Sequence, residues 1–249
     1  MIEVRELSKS FTGPKSGAFL AVDRVSFRVS SGEVFGLLGP NGAGKTTTLR
    51  MMATLLRPSS GTASINGFEI VTEPARVRAQ IGFLSGDMGT YARLSPREML
   101  KFFGQLHGMT SAHIEKRTSE LFALFDMTSF AEVRGDKLST GMKQKAAIAR
   151  SMLHDPPVLI LDEPTAGLDV PTARVVEAAV LDAKRSGKCV VYSTHVMEEA
   201  EYLCDRIAVI NGGKLRAEGT MEELRVQTGK QRLREVFLDL LGLPSGRAA

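Results

Sequence analysis

Two short stretches carry residue types suited to phosphate chemistry. The first, Gly39-Pro40-Asn41-Gly42-Ala43-Gly44-Lys45-Thr46-Thr47, fits the pattern G-x-x-x-x-G-K-[ST]. Its glycines let backbone N–H groups turn inward and approach a phosphate with no Cβ in the way. Lys45 supplies a point charge for β- and γ-phosphates, and the Thr46 hydroxyl is a ligand for Mg²⁺. The second stretch is Val158-Leu159-Ile160-Leu161-Asp162-Glu163-Pro164. Two adjacent carboxylates at the end of a buried strand are costly unless a cation or donor meets them. A phosphate-bound Mg²⁺ meets that need. Asp162 is expected to hold it, directly or through water. Glu163, expected on the opposite face, would polarise an attacking water.

The surrounding elements agree with this placement. Residues 33–38 read as a buried strand entering the glycine-rich loop, and residues 47–53 as a helix leaving it, which puts phosphate at a helix N-terminus. Before the loop, period-two alternation predicts strands over 2–7, 19–22 and 24–29, with 13–17 as a loop tip. A hairpin is expected over 59–70 and a short strand over 81–84. From about 87 to 153 the pattern becomes helical. Ser95-Pro96-Arg97-Glu98 is a capping box with Pro at the first helical position. Met99, Leu100, Phe102, Phe103 and Leu106 supply the apolar face of the helix that follows. A second helix is expected from Ile114 to Phe125, and a third closes at 146–153 before Asp155-Pro156-Pro157. Strand character returns at 158–161 and 189–192, runs buried on both faces, with a helix over 170–186 between them. A hairpin over 207–217, a second capping box at Thr220-Met221-Glu222-Glu223 and helical spacing from Leu233 to Leu241 complete the chain before Gly242 and Pro244.

The composition is that of an ordinary globular chain: 249 residues, 43% hydrophobic, 24% charged, formal net charge +4. That basicity is too weak to argue for nucleic acid. Cys189 and Cys204 fit neither a metal-ligand spacing nor a disulfide framework and read as small core residues in a reducing compartment. The N-terminus lacks a signal-peptide pattern, and no apolar run approaches the ~18 residues needed to span a bilayer. Work at a membrane would require a second polypeptide.

A third stretch, Leu138-Ser139-Thr140-Gly141-Met142-Lys143-Gln144, resembles the LSGGQ signature of ABC ATPases, with Thr140 and Met142 departing from it. The order of features is also theirs: phosphate loop, helical insertion, signature, Asp-Glu pair, then histidine. On physical grounds, Ser139 and the N–H groups opening a helix can bind an anion. The resemblance covers nearly the whole chain as one domain, residues 1–249. It implies an α/β fold of the P-loop (RecA-like) NTPase type: a mainly parallel sheet, an antiparallel β flank, a helical subdomain over about 87–153 and a helical tail over about 220–242. It implies ATP and Mg²⁺ as ligands and ATP hydrolysis as the activity. By the same resemblance, Ser139, Thr140, Gly141 and Met142 contact the γ-phosphate held by another copy. Ala166-Gly167-Leu168-Asp169 is the D-loop, His195 the histidine that contacts the γ-phosphate, and Phe11 the ring that stacks on adenine. Since one chain carries one phosphate loop and one signature, the resemblance implies a head-to-tail C2 homodimer.

One departure concerns the end of 81–86, where ABC ATPases carry a Gln that touches Mg²⁺ and relays nucleotide state. Here the residue is Gly86, so either water or Asp87 substitutes or the backbone of this segment does the coupling. The run Leu84 to Tyr91, the Ser-Thr-Gly-Met-Lys-Gln-Lys signature and the Leu233–Leu241 tail are similar to the sodium-efflux (NatA-type) ATPases of exporters with ABC-2-type permeases. That similarity implies a peripheral protein on the cytoplasmic face of the cell membrane, held by its permease, with no direct nucleic-acid partner. Two alternatives are a soluble ABC ATPase acting on nucleic acid or ribosomes, and a regulatory subunit that binds ATP without turnover. Residues 87–137 lack the long heptads of DNA-repair members, only one ATPase unit is present, and Asp162, Glu163 and His195 are all in place.

Overall fold

The structure is a computed structural model that describes residues 1–13, 17–85 and 91–243. In chain order the strands and helices are β1 (Ile2–Gly13), β2 (Gly17–Val29), β3 (Val34–Leu38), α1 (Lys45–Met52), β4 (Ser60–Ile65), β5 (Phe68–Glu69), α2 (Pro74–Gln80), β6 (Ile81–Leu84), α3 (Pro96–Leu106), α4 (Ser111–Leu124), α5 (Thr140–Met152), β7 (Val158–Asp162), α6 (Val170–Arg185), β8 (Cys189–Thr194), α7 (Met197–Leu203), β9 (Arg206–Asn211), β10 (Lys214–Gly219), α8 (Met221–Thr228) and α9 (Leu233–Leu240).

A six-stranded sheet runs in the order β10-β9-β3-β8-β7-β6. All neighbours are parallel except the β9–β10 hairpin. β3, β7 and β8 are buried at every residue, the signature of strands covered on both faces. Alternation sends Leu159, Leu161, Val190 and Tyr192 into a core shared with α3 to α6. It sends Val158, Ile160, Cys189 and Val191 into a second core, with α1 and the other sheet. That other sheet is antiparallel, in the order β2-β1-β4-β5. α8 and α9 cover a third cluster through Leu224, Leu233, Val236 and Phe237. Both expected capping boxes form, at Ser95–Glu98 and Thr220–Glu223.

Several elements differ from the sequence expectations. The strands expected over 19–22 and 24–29 are one strand, β2, because Arg24 adopts φ +48° and donates its N–H to Ser8 Oγ. This irregularity bends the pairing without ending it. β1 runs on to Gly13, which seats Phe11 opposite Phe19. α2 and α7 were not anticipated. Each is seven residues, too short to show a helical period. The third helix starts at Thr140, with Ser139 as its N-cap. Phe102 and Leu106 do not join the apolar face of α3; they are 45% and 66% exposed. α3 instead presses Gly104 against α4, where an added Cβ would lie 2.5 Å from Ile114 Cγ1. That close approach turns Phe102 and Leu106 outward. The expected chemistry at Gly86 and Asp87, the loop tip at 14–16 and Pro244 lie outside the described residues.

Candidate functional site

The site is built where β3, β7 and β8 end. Their parallel register sets Leu38 beside Thr194 and Asp162 beside Ser193, so three chain segments leave the sheet at one level. Beyond β3 the glycine-rich loop is fixed by its backbone neighbours. Ala43 N–H donates to Pro40 O at 3.1 Å, and Gly213 N–H, in the β9–β10 turn, to Ala43 O at 2.9 Å. Two glycines are needed for the chain to pass. A Cβ on Gly39 would lie 2.3 Å from Ile210 O. One on Gly44, which adopts φ +107°, would lie 2.6 Å from Ala21 O. Lys45 opens α1 and is 4% exposed; its Nζ donates to Gly39 O at 2.7 Å and to Pro40 O at 3.3 Å. The buried ammonium is thus held by the loop's own carbonyls and one carboxylate, Glu163 Oε1 at 3.3 Å.

Glu163 reaches that position by an unusual route. The strand ends at Asp162, and Glu163 leaves it with φ +46°, so the left-handed turn and not strand alternation aims its side chain. The turn is held by Glu163 N–H, which donates to Ser193 O at 3.2 Å and to Ser193 Oγ at 3.0 Å. Ser193 Oγ–H in turn donates to Asp162 Oδ1 at 2.6 Å. Asp162 is 3% exposed, and this is the hydrogen bond its carboxylate accepts among the described residues. The second oxygen of Glu163 lies 3.2 Å from His195 Nδ1, in a half-exposed imidazole just beyond β8. The carboxylate therefore bridges a buried ammonium and an imidazole.

A cleft of about 340 Å³ opens over these groups, lined by Phe11, Phe19, Asn41 to Thr47, Glu163 and Gly213 among others. Phe11 and residues 41–47 of the phosphate loop line the same cleft. The Phe11 ring is stacked on Phe19, with centroids 5.7 Å apart.

The signature residues lie elsewhere. Ser139, Thr140, Gly141 and Met142 line a second, open cleft of about 440 Å³ with Lys145, Asp169 and Thr172, and share no wall with the phosphate loop. Ser139 Oγ accepts from Met142 N–H at 3.2 Å, and Asp169 caps α6 by accepting from Thr172 N–H at 3.0 Å. Thr172, through its side chain first and then this N–H, holds the Asp169 carboxyl below the usual carboxylate range. One contact links this face to the hydrolytic end: Gln144 Nε2 donates to Pro164 O at 2.7 Å, beside the Asp-Glu pair.

Sequence reasoning missed Ser193, Thr165, Tyr192 and Glu199. Ser193 was legible in principle, as the hydroxyl at the end of a strand neighbouring the carboxylates. Glu199 sits on the short helix α7 and gave no local signal. Both cysteines behave as expected of core groups; burial pushes each thiol up to about 12.

A parallel sheet with a glycine-rich anion loop, buried lysine and paired carboxylates at its strand ends defines a nucleoside-triphosphate hydrolase of the P-loop class. Residues 22–166 match the family model described as ABC transporter. The chain is 39% identical over 242 residues to the ABC transporter ATP-binding protein NatA of Bacillus subtilis (strain 168), covering 97% of this chain and 98% of that one. It superposes with TM-score 0.87 and 31% identity on a solved ATP-binding subunit of an ABC transporter, covering 97% and 99%. It superposes with TM-score 0.81 and 25% identity on dimeric MJ0796, a bacterial ABC transporter cassette, covering 88% and 98%. The chain belongs to the ABC transporter family and is one of its ATP-hydrolysing cassettes, similar to NatA.

Proposed function

We propose that this cassette closes on ATP into a head-to-tail homodimer and powers export through a separate ABC-2-type permease, which holds it at the cytoplasmic face of the cell membrane. The observation that carries this reading is the Glu163 carboxylate, suspended between Lys45 Nζ and His195 Nδ1 at the mouth of the phosphate-loop cleft. In this reading the backbone N–H groups from Gly39 to Thr47 wrap the phosphates, and Lys45 transfers its charge from the loop carbonyls to the β- and γ-oxygens. Once Lys45 is so engaged, Glu163 is free to accept a proton from a water in line with the γ-phosphate, and His195 steadies that phosphate. Phe11 stacks on the adenine.

The residues present fit Mg²⁺. Asp162 is a buried carboxylate with spare acceptor capacity, and the Thr46 hydroxyl lines the cleft. Among the described residues no cluster of three or more His, Cys, Asp or Glu forms a metal cage. A hard ion that takes one or two protein oxygens and completes its shell with phosphate and water suits such a site. When bound, Mg²⁺ would neutralise charge developing on the phosphates.

The signature cleft supplies the other half of each site from the partner copy: Ser139 and the N–H groups of Thr140, Gly141 and Met142 reach the γ-phosphate, with Asp169 at the border. Loss of that phosphate on hydrolysis releases the dimer. No helix among the described residues is long and apolar enough to cross a membrane, which agrees with a separate permease. Similarity to NatA favours Na⁺ efflux as the transport served.

The test is a pull-down of tagged Glu163→Gln protein with Mg-ATP from membranes solubilised in mild detergent. The expected outcome is one multi-span permease in fixed ratio, which then carries Na⁺ out of reconstituted vesicles. Recovery of ribosomal or DNA-associated proteins alone would contradict the transport reading.

A further inference from the structure

Glu199, on α7, touches neither the phosphate-loop cleft nor the signature. It nevertheless collects three hydroxyl groups from the two segments that carry Glu163 and His195. Thr165 Oγ1 donates to Glu199 Oε1 at 2.6 Å. Thr194 Oγ1 donates to Oε2 at 2.7 Å, and Tyr192 OH donates to the same oxygen at 3.2 Å. Thr165 is two residues beyond Glu163, and Thr194 is the residue before His195. Thr194 Oγ1 also accepts from Val196 N–H at 2.9 Å, closing a small turn around His195. Glu163 Oε2 and His195 Nδ1 complete the circuit at 3.2 Å.

The geometry points to Glu199 as a positioning residue for hydrolysis: it fixes the separation of the two chain segments and thereby the Glu163–His195 pair. This rests on the reading that Glu163 and His195 serve the attacking water and the γ-phosphate. Three hydroxyls converge on the two oxygens of one carboxylate, and Thr165 Oγ1 also lies 3.3 Å from Tyr192 OH. Thr165 and Thr194 each donate their O–H to Glu199, and the Tyr192 side chain is fully buried in β8, away from competing bulk water. Glutamine has the same shape but would turn an NH₂ group toward at least one hydroxyl, which must then rotate to accept instead of donate, and the remaining bonds lose their charged acceptor. A shift of ~1 Å in a catalytic pair is enough to slow chemistry about 100-fold.

The experiment compares Glu199→Gln and Thr194→Val with wild type and with Leu203→Ala, which truncates a buried side chain on the same helix outside the circuit. Steady-state ATP hydrolysis is measured well below each variant's Tm. The imidazole Cε1–H resonances are followed by NMR; the chain has four histidines, and His195→Ala assigns the relevant one. Glu199→Gln is expected to lower kcat by about 10- to 100-fold with KM within about 3-fold, and Thr194→Val by a smaller factor in the same pattern. Both should move the His195 resonance and leave those of His107, His113 and His154 in place. Leu203→Ala should lower Tm and change neither kcat nor the His195 resonance. A Glu199→Gln protein with wild-type kcat, or one whose His195 resonance stays put, would overturn the proposal. If the wild type failed to hydrolyse ATP, the underlying assignment would fail on its own, and the NMR comparison would still judge the positioning role.

Discussion

The phosphate loop and the signature are both anion sites in expectation, yet their glycines obey different constraints. Gly39 and Gly44 are required by this chain itself: backbone carbonyls of Ile210 and Ala21 occupy the space a Cβ would fill, and Gly44 also sits at φ +107°. Gly141 lies in the first turn of α5, has no positive φ, and would meet only Thr172, at an ordinary 3.5 Å. Lys45 is buried and satisfied, whereas Ser139 and Thr140 are exposed and bonded only within their own turn. The first region is complete as folded. The second is an exposed helix start, which the proposed dimer would turn toward a partner's phosphate.

The largest expected effect that sharpens this contrast is Glu163→Gln, which should lower kcat by about 10³-fold and leave ATP affinity intact, measured by phosphate release and equilibrium binding. Lys45→Ala should weaken ATP binding by about 100-fold, because the site loses its one buried cation. The glycine pair gives the clearest reversal. Gly44→Ala should cost about 3 kcal/mol of stability, from the strained φ and the clash with Ala21 O, and lose ATP binding as well. Gly141→Ala should stabilise the isolated chain by about 0.5 kcal/mol, as alanine does in a helix, and still slow hydrolysis about 10-fold or more with ATP affinity unchanged. Denaturant melts and ATP titrations on the two variants separate these outcomes. If Gly141→Ala hydrolysed ATP normally, nothing would approach that backbone and the contrast would dissolve.

A smaller effect probes the joint between the signature-bearing helices and the sheet. His154, after α5, stacks on His107 with centroids 3.8 Å apart and bonds Ile81 O in β6 at 3.1 Å. Burial, with the neighbouring His107 and Lys188 working against Asp155, holds its pKa down to about 4 from 6.5. The folded state therefore refuses a proton that the unfolded chain accepts. Stability should fall as pH drops from 6.5 toward 4, by roughly 2 kcal/mol after allowance for partial exposure. His154→Gln keeps a donor for Ile81 O but does not titrate, so its stability–pH curve should be flatter across that window in urea melts.

How much was legible beforehand follows the same divide. The phosphate loop, the carboxylate pair and the strands around them announce themselves because a continuous apolar run and a glycine-rich turn each have one cheap structural solution. The capping boxes at Ser95 and Thr220 did so for the same local reason. Phe102 and Leu106 misled because helical spacing counts apolar residues without knowing how closely Gly104 lets α4 approach. The left-handed turn that aims Glu163 was not foreseen because strand alternation says nothing about a residue just past the strand, where Ser193 holds the chain. Glu199 was invisible because its partners Thr165, Tyr192 and Thr194 come from two distant segments that meet only after the sheet has formed.

The most direct test of a site divided between two copies is sedimentation velocity of Glu163→Gln with and without Mg-ATP, alongside the double variant Glu163→Gln/Ser139→Glu. The expected result is a monomer without nucleotide and a dimer with Mg-ATP for the single variant. The double variant should bind ATP yet stay monomeric, because a carboxylate at Ser139 repels the partner's γ-phosphate. A single variant saturated with ATP but monomeric, or a double variant that dimerises as readily, would contradict the divided site.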